Sequence, residues 1–161
     1  MAHSGDSPAS GPARSPHCQA DPTGRRPWPL CSVLELGALP SAPGCARRYA
    51  KCLLREWNLA ALTDEVELLV SELVTNAIAA TEGLHTLIRP PVRLRLLSDR
   101  RRVVIEVWDA SVRPPVRTDA NLTASYGRGL LLVDMVSERW AWTLTPQRGG
   151  KVVWCEIRVP V

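Results

Sequence analysis

No stretch of the 161 residues approaches the roughly 18 to 20 uninterrupted apolar side chains that a membrane-spanning helix requires. The first residues also lack a basic segment leading into an apolar signal core, so a cytoplasmic location without a membrane partner is expected. Lysine is scarce, two residues against 18 arginines, and the net charge of +4 is scattered along the chain. A nucleic-acid footprint would gather such charge on one face or stripe, so direct binding of nucleic acid is not expected. The five cysteines, Cys18, Cys31, Cys45, Cys52 and Cys155, include no CxxC pair. Their odd number leaves at least one unpaired within the chain, and reduced thiols are the expectation. What remains after these exclusions is a 45% hydrophobic sequence of the length of one soluble domain.

Composition shifts once along the chain. Residues 1–29 hold six of the 14 prolines and almost no large apolar side chains, too little to offset the entropy of ordering, and read as a disordered tail. Residues 30–161 read as the globular domain. A short strand, "CSVLELGAL", leads into a helix over "SAPGCARRYAKCLLREWN" that ends near Asn58, with Ala46, Tyr49, Leu53, Leu54 and Trp57 at helical spacing. A second helix over "LTDEVELLVSELVTNAIAATEG" has Thr63 or Asp64 as its N-cap and Gly83 after its last periodic residue. Two alternating strands follow. Val92, Leu94 and Leu96 lie on one face of the first, and Val103, Ile105, Val107 and Asp109 on one face of the second. After residues 110–126, a polar stretch without periodicity, "GRGLLLVDMVSERW" opens another apolar helix. "WAWTL" and "KVVWCEIRV" then form a hairpin around "PQRGG".

Three polar features interrupt the apolar faces. In "LLVSELVTNAIAAT", residues 68–81, Glu72 and Asn76 lie one turn apart beside the stripe of Val66, Leu69, Leu73 and Ala77. A carboxamide is a neutral oxygen ligand suited to a magnesium ion that keeps its waters and phosphates, and a carboxylate beside it can deprotonate a hydroxyl. A solvated helix edge would show the same pair. Asp109 prolongs the buried face of its strand, so donors must come from the protein or from a ligand, unless it caps the turn that follows. Gly127, Arg128 and Gly129 precede a helix whose free N–H groups and dipole suit phosphate, although a plain helix-entry turn has the same glycines.

The order of "SELVTNA", "VIEVWDAS", "GRGLLLVDMVSERW" and "GGKVVW" resembles the GHKL ATPase superfamily, in particular its small stand-alone domains similar to anti-sigma-factor serine/threonine kinases. The resemblance implies a two-layer α/β sandwich, the Bergerat ATP-binding fold, with helices on one face of a mixed, mostly antiparallel sheet and ATP bound between the layers under a lid formed by residues 110–126. By the same resemblance Glu72 is the general base and Asn76 coordinates Mg2+ on the nucleotide phosphates. Asp109 accepts a hydrogen bond from the adenine amino group, and Gly127, Arg128, Gly129 and Leu130 form the second glycine motif and the helix start against the phosphates. The implied activity is ATP-dependent phosphorylation of a partner in a partner-switching system, with a sigma factor or an anti-sigma antagonist as partner. The alternative is a catalytically degenerate module that binds ATP, or only protein. Three departures bear on that choice: "DASVRPP" lacks the DxGxG that follows the aspartate in much of the superfamily, Ala80 replaces a basic or His residue, and Lys151 and Val152 stand where relatives often have threonine.

Alternation places Trp108 and Trp154 on the sheet face without helices, with Trp142 as a third member. Such a patch reads as a homodimer or partner surface, unless the tail or arginine stems cover it. The "RRR" run at 100–102 reads as solvated.

Overall fold

The strongest period-two segments fold where the alternation predicts them. β2 (Val92–Ser98) and β3 (Arg102–Asp109) bury Val92, Leu94, Leu96, Val103, Ile105 and Val107 on one face. The computed structural model describes residues 28–115 and 129–160; most of the expected tail, and residues 116–128 with Gly127 and Arg128, lie outside them. Before β2 come β1 (Leu30–Leu36), α1 (Ala42–Glu56), a 3-10 turn (Ala60–Leu62) and α2 (Thr63–Glu82). After β3 come α3 (Gly129–Val136), β4 (Arg139–Leu144) and β5 (Lys151–Arg158).

The five strands form one sheet in the order β1-β2-β3-β5-β4. Every pairing is antiparallel, where a mixed sheet with mostly antiparallel pairs was expected. The reason is connectivity: β2–β3 and β4–β5 are hairpins, and the chain between β3 and β5 has already reversed through α3 and β4. The helices lie on one face, giving the two-layer architecture that the sequence predicts. Ala46, Ala50 and Leu54 of α1 and Val66, Leu69, Val70, Leu73 and Ala77 of α2 pack on the inward side chains of β2, β3 and β5. Each buried Leu or Val adds about 1.5–3 kcal/mol relative to exposure.

α2, which carries the polar pair, starts slightly differently from expectation. Thr63 is its first helical residue rather than a cap, because the 3-10 turn leads straight into it and Thr63 Oγ1 donates to the Ala60 carbonyl at 2.7 Å. Asp64 and Glu65 occupy the first turn, where the helix dipole favours them. Gly83 does close the helix, with an ordinary negative φ of −77°. α3 stops at Val136, where Ser137 Oγ donates back to the Val133 carbonyl at 2.6 Å, and Arg139 already belongs to β4.

On the sheet face without helices, Trp108 and Trp154 stand as alternation predicts, but Trp142 does not join them. β4 pairs Trp142 with Val153, an inward residue, so Trp142 faces the helix side near the sheet edge. Arginines cover the outer aromatics: Arg93 lies 5.7 Å from the Trp108 ring and Arg139 5.5 Å from that of Trp154. Trp28, read as part of the tail, is buried against Leu97 and Val104 beneath Arg102. Cys45, Cys52 and Cys155 are free, whereas Cys31 is disulfide-bonded, against the expectation of reduced thiols. Spacing along a chain does not reveal which cysteines meet in space.

Candidate functional site

α2 crosses the sheet so that Leu73 and Ala77 face it, and the same helical turns bring Asn76 to the rim of a cavity of about 310 Å3. Asp109, Lys151, Val107 and Val153 form the strand side of that cavity, and Leu130 of α3 closes another side. Its volume is at the lower end of the roughly 300–1,000 Å3 typical of small-molecule sites.

The α2–α3 end holds the polar pair of Glu72 and Asn76. Asn76 Nδ2 is buried and has no hydrogen-bond partner among the described residues, a situation that costs about 1–3 kcal/mol in a sealed interior. Glu72, one turn earlier, is partly buried, and that burial raises its carboxyl above the ordinary glutamate range. Gly129, the first residue of α3, approaches both: a β-carbon there would stand 2.5 Å from Glu72 Oε2 and 3.2 Å from Asn76 Nδ2. Only glycine leaves this space open without moving the carboxylate. Leu130 follows it, fully buried in the cavity wall.

At the β3–β5 end the protein satisfies itself. Asp109 is 1% exposed and Lys151 2% exposed. Lys151 Nζ donates to Asp109 Oδ1 at 2.8 Å and to the Ser111 carbonyl at 3.3 Å, and the Ser111 N–H donates to the same Oδ1 at 2.9 Å. Burial pushes the Asp109 carboxyl above its ordinary range, and the donors from Lys151 and Ser111 pull it partway back. The turn before β5 presses on this pair. Gly150 has φ +75°, and a β-carbon on it would fall 2.0 Å from the Asp109 carbonyl oxygen.

A family model described as a histidine kinase-like ATPase domain matches residues 37–157. The chain belongs to this family. Its fold is also similar to the solved structure of the RsbU and RsbW domains of Rv1364c from Mycobacterium tuberculosis, with a TM-score of 0.55 and 18% identity over 84% of this chain. This chain spans 34% of that one. None of the curated proteins compared with it matches.

Within this histidine kinase-like ATPase domain, Asn76, Asp109 and Leu130 line one cavity, while Glu72 and Gly129 lie outside its lining and meet beside Asn76. Gly127 and Arg128 lie outside the described residues. The sequence motifs mark Lys151 only as lacking a hydroxyl and do not reveal its part in the site. The signal was present: Val153, Cys155 and Ile157 face inward, so Lys151 faces inward by the same parity, and the β3–β5 register sets it opposite Asp109. Arg113 also lines the cavity, from the stretch after Asp109.

Proposed function

We propose that this domain binds Mg·ATP in the α2–β3–β5 cleft and transfers a phosphoryl group to a serine or threonine hydroxyl of a partner protein, as a regulatory kinase of the anti-sigma type. One observation carries the reading most: the buried Nδ2 of Asn76, without a hydrogen-bond partner among the described residues, next to Glu72 and against Gly129. The donor set fits the ligand. Asn76 would hold magnesium through Oδ1 as a neutral oxygen ligand, with Nδ2 left to donate to a phosphate oxygen. Bound Mg·ATP supplies the phosphoryl group and a cation that offsets the phosphate charge.

The chain's own residues do the rest. Glu72 accepts the proton of the attacking hydroxyl, and the burial that raises its pKa makes it a stronger base than a solvated glutamate. Leu73, Ala77 and Leu130 exclude water from the cleft. Asp109 receives the base through whatever capacity Lys151 and Ser111 leave to it. The partner is a sigma factor or its antagonist, by the resemblance that the sequence motifs carry.

A second reading, a binding module with little turnover, is favoured by the Lys151–Asp109 pair. Asp109 burial is already compensated, so an incoming amino group gains less there than it would at an empty carboxylate. Calorimetric titration of Mg·ATP separates the two readings. Binding that is lost in Asn76→Ala, and kept in a Glu72→Ala protein that no longer supports transfer, is the expected result. No binding up to millimolar ATP by folded protein would leave only the module.

A further inference from the structure

The nucleotide cleft lies at one end of the sheet, and the arginine run of 100–102 lies at the other. β3 and β5 set Asp109 opposite Lys151 at the cleft end and Arg102 opposite Arg158 at the far end, a separation of about 24 Å along an extended strand. The sequence alone reads the run as solvated. In the structure the β2–β3 turn, the start of β4 and the end of β5 border an open groove of about 1,000 Å3. Arg100, Arg101, Arg102, Arg139 and Arg158 line it, together with Asp99, Glu138 and Glu156.

Every carboxylate of the groove is already engaged. Arg102 pairs with Asp99 at 3.1 Å and with Glu156 at 3.6 Å, Arg139 with Glu156 at 2.7 Å, and Arg158 with Glu138 at 2.9 Å. Two arginines stand outside this network. Arg100 donates to the Trp57 carbonyl at 3.0 Å, a neutral acceptor that leaves its charge uncompensated. The Arg101 side chain is exposed and has no ion pair among the described residues. Five arginines against three carboxylates leave two positive charges in excess. The frame that carries them is set in advance: Arg102 lies 4.9 Å from the Trp28 ring, and the Val159 N–H donates to the Arg101 carbonyl at 2.8 Å, which ties the end of β5 to the turn. Guanidinium groups held in this way lose less freedom on binding, and their forked N–H groups match a carboxylate.

The pattern of charge separates the candidate partners. A nucleic-acid backbone presents phosphates without interruption and is held through roughly six to ten of them, so two excess charges are too few, and Asp99 and Glu138 would face like charge. An acidic protein segment needs only two carboxylates, and it can set uncharged residues against Asp99 and Glu138. We propose that this groove is a docking surface for an acidic segment of a partner protein. It is remote from the nucleotide cleft, and the proposal stands whether or not that cleft binds nucleotide.

The test is an NMR titration of the 15N-labelled full chain with a hexaglutamate peptide at low salt. Wild type is measured beside the double variant Arg101→Glu, Arg158→Glu and beside Arg89→Glu, Arg148→Glu, which makes the same change of charge at exposed positions near the cleft end. In the wild type the peptide shifts the backbone amides of residues 99–102, 138–139 and 156–159 in one saturating transition. Affinity falls at least about tenfold in the groove variant and changes less than about twofold in the other. Equal losses in the two variants mean attraction to overall charge and overturn the proposal, as do shifts centred elsewhere or no shift at millimolar peptide. A hexathymidylate oligonucleotide that binds the groove more tightly than the peptide overturns it in favour of nucleic acid.

Discussion

The two ends of the cleft solve the same problem in opposite ways. At the β3–β5 end a buried carboxylate is matched by a buried ammonium and a backbone N–H, all from the chain itself. At the α2–α3 end a buried carboxamide nitrogen has no hydrogen-bond partner among the described residues and lies beside a partly buried glutamate. Buried polar groups in folded proteins are nearly always hydrogen-bonded, so the α2–α3 end is where the proposed nucleotide would gain hydrogen bonds and the paired end is where it must compete for them. The difference explains how one cleft suggests an active site and a modified one at once.

Breaking the paired end should have the largest effect. Asp109→Asn leaves the Lys151 ammonium buried without its counter-ion, and removal of one partner of such a pair costs about 3–5 kcal/mol. Urea unfolding should show that loss, and the double variant Asp109→Asn, Lys151→Met should recover most of it. Gly150→Ala comes next, because its β-carbon meets backbone rather than a movable side chain. Overpacking of about 1–3 kcal/mol adds to about 1–2 kcal/mol for a left-handed φ, read as a lower denaturation midpoint.

At the unpaired end the effects should be functional more than energetic. Gly129→Ala meets the far end of Glu72, which can swing aside; stability should change by less than about 1 kcal/mol while phosphoryl transfer falls. Glu72 also sets a pH dependence. Its folded pKa is raised above the unfolded value of 4.5, so the folded state holds the proton more tightly. Its contribution to stability is complete below 4.5 and declines as pH rises through the folded value. Glu72→Gln should flatten that decline in unfolding measured across pH, and transfer by the wild type should fall in acid earlier than an ordinary glutamate allows. Smallest of all, Arg93→Ala removes an exposed pair with Glu35 and a stack on Trp108, worth together about 1 kcal/mol at most.

Much of this was legible in the sequence because two periodicities are unambiguous. Period two fixed the inward faces of β2 and β3, and with them the burial of Asp109; period 3.6 placed Glu72 and Asn76 on one line of α2. Less legible was anything that depends on which strands meet. Alternation alone places Trp142 on the wrong face because the register of β4 against β5 cannot be read from β4 alone. The sequence leaves open whether the protein or a ligand supplies the donors to Asp109, because nothing local shows that β5 runs beside β3, although the inward parity of Lys151 is a signal.

The central claim is that nucleotide enters the α2–β3–β5 cleft against Asn76. The most direct test is the side-chain amide NMR signal of Asn76, assigned by its absence in Asn76→Ala, followed during titration with Mg·ATP. The account predicts that this signal shifts in step with binding. A protein that binds Mg·ATP while the Asn76 amide stays unmoved would place the nucleotide elsewhere and contradict it.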